Sequence, residues 1–407
     1  MLDFQKIKTV CDNNTRISKS FVDEFLIYFI AKNEGLEEKT FGQFGNFRNV
    51  ILKMPESWIR MLVSQLIAHR TFKKDGLSGD YKRHAEIQKR SAEELVYYQF
   101  QIEHPWRFAF CTMEDYLLHD IYEMKDAVSG ETFKVYSPGI SRTNTEGGGT
   151  IRFWFLLIGF NGECWQTYGP LAYFKGIQPF DLFFFAKQIK PDILFQNEVQ
   201  EVVESNPIPF AMLFSGAEIP VTYHKKDMVV FNKSEFHVKE ISLEKYEDEF
   251  IVEKKHPIYM LSLKRWHSFP HFAKCFFHAK KNLFILTSMT TRGYDSLISA
   301  LNKRGNEFPS SPEILATPAM LHIAKQVLNV DVEMNPYEKH FTKKTSPENK
   351  KELDKINVFL KHLIDRLNKK EDYDIADLAE KAGIDVENAQ RIAESLIKKM
   401  SEMPGHR

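Results

Sequence analysis

Apolar residues in the first hundred positions recur at the spacing of an α-helix. Trp58, Leu62 and Leu66 lie four residues apart and would share one helical face. Ser91 followed by Glu94 is the capping-box pattern that marks a helix start. The pattern therefore predicts a helical N-terminal region over residues 1–104.

After residue 104 the pattern changes to aromatic and β-branched runs separated by short turns. Hairpins are predicted around Gly130, around Gly162, and in the stretches 210–224 and 275–288. Several hairpins at short spacing are typical of a barrel or a curved antiparallel sheet. We therefore predict a β-rich central domain over residues 105–334, with helices near its end at 294–303 and 318–328.

The remaining residues predict a linker followed by a small helical module over residues 345–407. The linker begins with the polar stretch NPYEKHFTKKT, and Pro347 then starts a helix. Asp374 and Asp385 are placed to cap two further helices around a turn at Gly383, an arrangement that resembles a helix-turn-helix. Glu387 on the second of these helices favours a structural or protein-docking tail over a DNA reader. The predicted fold class is α+β.

Composition narrows the class of protein. The chain has 407 residues with 55 basic and 55 acidic side chains, so a surface built entirely for nucleic acid is excluded. No apolar run reaches the roughly 20 residues that a membrane helix needs. The four cysteines form no CxxC pair, which indicates reduced thiols. We therefore expect a soluble, cytoplasmic protein that does not contact a membrane.

One stretch departs from this charge balance, because no carboxylate side chain lies between Glu253 and Asp295. Its cations alternate with aromatic residues, as on surfaces that stack unpaired bases and pair with phosphates. The candidate contacts here are Lys264, Arg265, Trp266, His271 and Lys274. The leading hypothesis is a non-enzymatic binding protein whose segment 254–294 contacts RNA or single-stranded nucleic acid. In the alternative, the acidic segment 235–253 neutralises this charge internally.

The loop 288–293 forms a second candidate site. It follows an apolar strand pattern and precedes a helix, whose N-terminal N–H groups attract anions. Thr290, Thr291, Arg292 and Gly293 are the candidate anion contacts. An ordinary helix cap explains the same residues. If the site is instead enzymatic, it would hold a phosphorylated or nucleotide substrate, with His267 or His271 as the general base.

Three other motifs do not predict a binding or catalytic site. The spacing of His267, His271, Cys275 and His278 fits no familiar zinc pattern, so no metal site is predicted. The glycine-rich loop before residue 151 lacks the ending of a phosphate-binding loop, and no cofactor is predicted. The basic stretch 69–90 is predicted as a solvated loop and helix face. A third function hypothesis is a protein-interaction or regulatory module that acts through the C-terminal helices.

Overall fold

The chain folds into two compact units, residues 1–337 and 338–407. The computed structural model describes residues 3–146, 153–174, 176–216, 219, 221–224, 226–238, 243–266, 272–305, 307–341, 347–369 and 371–401. The predicted α+β class is confirmed, with a helical N-terminal region, a β-rich middle and C-terminal helices. None of the helices in these ranges is both long and apolar enough to cross a bilayer.

Eight α-helices form the N-terminal region: α1 (Phe4–Ile17), α2 (Ile27–Glu34), α3 (Leu36–Phe44), α4 (Arg48–Ile51), α5 (Glu56–Phe72), α6 (Ser78–Tyr81), α7 (Ala85–Gln88) and α8 (Ala92–Glu103). A π-helical segment, Ser18–Leu26, joins α1 to α2. The capping box predicted at the start of α8 is present, because Ser91 and Glu94 each accept the other's backbone N–H. The helices pack their apolar faces into one core that they share with the outside of a barrel.

Five strands close into that barrel in the order β1-β2-β3-β5-β4: β1 (Arg107–Leu118), β2 (Ile121–Asp126), β3 (Thr132–Tyr136), β4 (Phe153–Phe160) and β5 (Trp165–Phe174). Helix α9 (Pro138–Glu146) follows β3. Strand β4 is apolar at almost every position because both of its faces are buried. Phe155 packs outward against the helices, whereas Trp154 packs into the barrel interior. Both hairpins predicted in this part of the chain are confirmed.

Part of the central region is helical where strands were predicted. Helices α10 (Pro179–Ile189), α11 (Val199–Ser205) and α12 (Pro207–Ala211) lie between the barrel and the next sheet. The hairpin predicted over 210–224 is wrong: α12 and a 3-10 turn, Met212–Gly216, occupy its first half. Pro207 and Pro209 explain the difference, since proline fits the first turn of a helix and cannot donate to a strand ladder.

A second sheet of six strands has the order β13-β8-β12-β11-β10-β9. Its strands are β8 (Phe231–His237), β9 (Phe250–Lys255), β10 (Ile258–Leu263), β11 (Ala273–His278), β12 (Leu283–Ser288) and β13 (Ile314–Ala316), and a short hairpin of β6 (Tyr223–His224) and β7 (Asp227–Met228) precedes it. Helix α13 (Thr291–Asn302) packs on one face of this sheet through an apolar cluster. Helix α14 (Pro318–Leu328) packs instead on the first core.

The second unit contains α15 (Glu338–Phe341), α16 (Pro347–Lys369), α17 (Ile375–Ala382) and α18 (Val386–Ser401). The last three share their own apolar cluster, which includes Phe359, Leu378 and Ala389. The predicted caps are present, because Asp374 accepts the N–H of Ala376 and Asp385 accepts that of Asn388. The two units thus have separate cores, and the predicted linker brackets their division.

A protein truncated after Phe341 should therefore remain folded. We expect it to be soluble and to unfold in urea in one cooperative transition, since the core of the first unit lies within residues 1–337. Circular dichroism and tryptophan fluorescence should give the same midpoint. Insoluble protein, or a transition that differs between the two probes, would contradict the boundary.

Candidate anion-binding surface

The two predicted sites meet at one end of the inner strands of the six-stranded sheet. Strand β10 ends there in a 3-10 turn, Lys264–Trp266, and β12 ends there in the loop that begins α13. The pairing brings these ends together, since Ser262 on β10 pairs with Lys274 on β11, and Ala273 on β11 pairs with Ser288 on β12. The loops after β10 and β12 are therefore neighbours.

Trp266 lies between the two loops and contacts a cation from each. The guanidinium carbon of Arg292 is 5.1 Å from the centre of the indole ring, and that of Arg265 is 5.7 Å away. Arg265 and Arg292 are exposed, whereas Trp266 is half-buried against the core beneath. Both distances fall in the range of cation–π contacts. We refer to Arg265, Trp266 and Arg292 as the Trp266 surface.

The N-terminus of α13 adjoins this surface. Thr290 caps the helix, and its buried hydroxyl accepts the N–H of Gly293 at 3.1 Å. The cap expected from the sequence is therefore present and uses one of the N–H groups that an anion would need. The N–H groups of Thr291 and Arg292 have no acceptor among the residues that the structure describes. These two donors and the helix dipole favour a negative charge at this point.

Asp227 also contacts the Trp266 surface, and it is not among the residues predicted for the site. Asp227 on β7 accepts a hydrogen bond from Arg292 at 2.5 Å and is itself mostly buried. The same hairpin carries Tyr223, whose side chain is 57% exposed. Asp227 holds Arg292 in place but also neutralises part of its charge. No local spacing signals this pair, because 65 positions separate its members.

Two of the predicted cations point elsewhere. The ammonium of Lys264 donates to the main-chain carbonyls of Glu247 and Asp248, at 2.9 and 3.0 Å. Lys274 is buried, with its ammonium 4.7 Å from the ring centre of Phe272. These two lysines therefore contact the protein, whereas Arg265 and Arg292 face the solvent.

Carboxylates of the acidic segment 235–253 pair with cations from more than one part of the chain. Asp248 pairs with Arg304, and a carboxylate oxygen of Glu249 lies 3.7 Å from the ammonium of Lys303. Both cations come directly after the end of α13. Among the described residues, Glu247 and Lys254 form an ion pair that joins the two segments directly. Its partners are exposed and 3.7 Å apart, so it contributes little to stability.

The histidines proposed as general bases, His267 and His271, lie outside the described residues. Within the described part of the chain, no three His, Cys, Asp or Glu side chains are grouped as metal ligands. The helix-turn-helix prediction concerns the second unit, where Gly383 adopts a left-handed turn between α17 and α18. Its partner, whether DNA or protein, stays a prediction. Comparisons with known protein families, with curated proteins and with solved structures find no match to this chain.

Proposed function

We propose that the protein binds single-stranded nucleic acid, RNA in the first instance, through the Trp266 surface. The observation that carries the proposal is the contact of two exposed arginines, Arg265 and Arg292, with one partly exposed indole ring. Guanidinium groups pair with phosphates, and indole and guanidinium planes both stack on unpaired bases. The composition of the chain favours a cytoplasmic location for this function.

The adjoining N-terminus of α13 supplies further attraction for a phosphate. The N–H groups of Thr291 and Arg292, in the first turn of α13, offer main-chain donors to a phosphate in addition to the Arg292 guanidinium. The surface is small, and Asp227 reduces its net charge. We therefore expect contact with one or two phosphates and modest affinity, in the micromolar range or weaker.

The alternative of an enzyme acting on a phosphorylated substrate at the 288–293 loop has less support. The side chains of Thr291 and Arg292 are exposed to solvent. Catalytic sites usually enclose the substrate in a cleft that excludes water. An open surface with an exposed ring is typical of binding.

Binding of a fluorescent uridine dodecamer, followed by anisotropy, tests the proposal. Replacing Arg265 and Arg292 together by glutamine should weaken binding about tenfold near physiological salt, because two phosphate contacts are lost. The matched control replaces both Lys280 and Lys281 by glutamine. These two lysines are exposed in the turn that joins β11 to β12, at the end of the two strands opposite to the Trp266 surface. That control removes the same charge and should leave affinity unchanged. Equal loss in both double variants would contradict a local site.

A further inference from the structure

The basic stretch predicted as a solvated face lines a cavity. The cavity has a volume of about 640 Å³ and lies within the first unit, where the C-terminal end of α5 meets α3, α10 and the α11–α12 turn. His69, Arg70, Lys73 and Gly76 from the basic stretch all border it. A volume of several hundred Å³ is the size of a small-molecule site. It is remote in sequence from the Trp266 surface and shares no residue with it.

A buried histidine and a glutamate form the floor of this cavity. His69 is 2% exposed, and its Nε2 is hydrogen-bonded to Oε2 of Glu204. The other oxygen, Oε1 of Glu204, accepts the Phe108 N–H at 2.9 Å and the Gln200 amide at 2.7 Å. With those two donors on Oε1, Glu204 is the acceptor of the pair and His69 donates from Nε2. The remaining ring nitrogen, Nδ1, has no partner among the described residues.

Two cations, Arg70 and Lys73, line the rim of the cavity together with one exposed carboxylate, Asp75. Neither Arg70 nor Lys73 forms an ion pair with any carboxylate in the described part of the chain. The Lys73 ammonium makes one long contact, 3.4 Å, to the main-chain carbonyl of Glu204. The loop that carries the rim approaches α5 closely, because a Cβ on Gly76 would lie 2.6 Å from the carbonyl oxygen of Thr71. Glycine at this position therefore keeps the rim against the helix.

The wall between floor and rim combines apolar and polar side chains in about equal parts. Phe47, Leu66, Ile208 and Leu328 contribute to it from four different elements. Sites for small organic molecules combine apolar side chains, which cover the body of the ligand, with polar groups that fix its orientation. A hydrocarbon or aromatic body would be removed from water here. A compact inorganic ion would leave that wall uncovered.

We propose that this cavity binds a small organic anion with an apolar body. Its negative group pairs with Arg70 and Lys73, its body covers the apolar side chains of the wall, and a polar substituent reaches Nδ1 of His69. Carboxylates and phosphate monoesters share the required chemistry. The matched pair 4-phenylbutyrate and 4-phenylbutyramide isolates the charge, and phenyl phosphate separates the two head groups.

Ligand-observed NMR titration of the full chain with these three probes tests the site. We expect saturable binding of 4-phenylbutyrate with a Kd on the order of 1 mM, as suits a ligand of this size. The neutral amide should bind several times more weakly. Exchange of Arg70 or of Lys73 for glutamine should each weaken binding of the anion about three- to tenfold. Lys74→Gln is the matched control, since Lys74 is exposed beside Lys73 but does not line the cavity.

A second readout follows the floor of the cavity directly. The imidazole resonance of His69, identified by its loss in His69→Gln, should shift with the same midpoint as the ligand signal. Tighter binding of phenyl phosphate than of 4-phenylbutyrate would assign the natural ligand to the phosphate esters. Absence of saturable binding for all three probes, equal binding of the amide, or an equal effect of the Lys74 variant would overturn the proposal.

Discussion

Replacing Asp181 by alanine should lower the free energy of unfolding by about 2–4 kcal/mol at pH 5. Asp181 is fully buried and accepts three hydrogen bonds: the Gln178 N–H at 2.7 Å, the Thr317 N–H at 2.7 Å and the Thr317 hydroxyl at 2.9 Å. It thus joins the N-terminus of α10 to that of α14. Alanine would leave buried N–H groups unpaired, which costs about 1–3 kcal/mol for each group.

The cost should depend on pH, because burial raises the pKa of Asp181 from 3.8 to about 7. The folded protein therefore keeps a proton on this carboxyl at pH values where the unfolded chain has lost it. The protonated carboxyl therefore adds stability that is fully present below pH 3.8, the ordinary pKa of aspartate. This stability is lost as the pH rises through the folded-state pKa of about 7. Between pH 5 and 8 we expect the wild type to lose about 2–3 kcal/mol through this group.

Urea unfolding at pH 5 and pH 8 measures both effects. Asp181→Asn cannot titrate and should lack this part of the pH dependence. Asp192→Ala, at an exposed aspartate just after α10, is the matched control and should be neutral within about 0.5 kcal/mol. A wild type and an asparagine variant with the same pH profile would contradict the raised pKa.

Replacing Trp266 by leucine should weaken binding of the uridine dodecamer by about 1–3 kcal/mol. That range is typical for the loss of one ring that stacks on a base. Leucine keeps an apolar contact with the core cluster under the six-stranded sheet, so we expect the free energy of unfolding to fall by only about 1 kcal/mol. Anisotropy and urea unfolding on the same protein give the two quantities.

The matched control for this change is Phe195→Leu. Phe195 is 66% exposed and precedes α11, far along the chain from the Trp266 surface. Its replacement should alter neither quantity. If Trp266→Leu leaves the affinity unchanged and removes several kcal/mol of stability, the indole is a core residue and does not contact nucleic acid.

Local signals predicted much of the fold. Pro318 at the start and a left-handed residue, Asn329, at the end define α14, and the helix spans the predicted residues 318–328. The turns at Gly130 and Gly162 marked two hairpins of the barrel, and both glycines adopt a positive φ there. In each case the residues that decide the conformation lie within the element itself.

The stretch 210–224 shows where such reasoning failed. Its first four residues, from Phe210 to Leu213, are buried in the first core, where their identity suits a helix or a strand equally. The prolines just before it, Pro207 and Pro209, favour the helix that forms there. The closure of the barrel also could not be predicted from local sequence patterns. It depends on the parallel pairing of β3 with β5, and more than twenty residues separate these two strands.

For the sites, residue types were easier to predict than positions. Arg265, Trp266 and Arg292 were all candidates, yet only the sheet order places the two arginines against one ring. Lys274 is a candidate because of its neighbours in sequence. The alternation of side chains along β11 places it on a face of the sheet where it is buried. The basic stretch 69–90 is predicted to be solvated because a run of charges usually is, and Lys74, Lys82 and Lys89 are exposed. The pairing of His69 with Glu204 has no local signal, since 135 positions separate the two residues.

The salt dependence of dodecamer binding tests the central claim most directly. Each phosphate contact with a single strand contributes a slope of about −0.7 to the plot of log affinity against log salt concentration. Titrations from about 50 to 300 mM KCl should therefore give the wild type a slope steeper by about 1.4 than that of the Arg265→Gln/Arg292→Gln variant, with the Lys280/Lys281 control matching the wild type. Identical slopes for all three proteins, or no binding by the wild type at the lowest salt, would contradict nucleic-acid binding at the Trp266 surface.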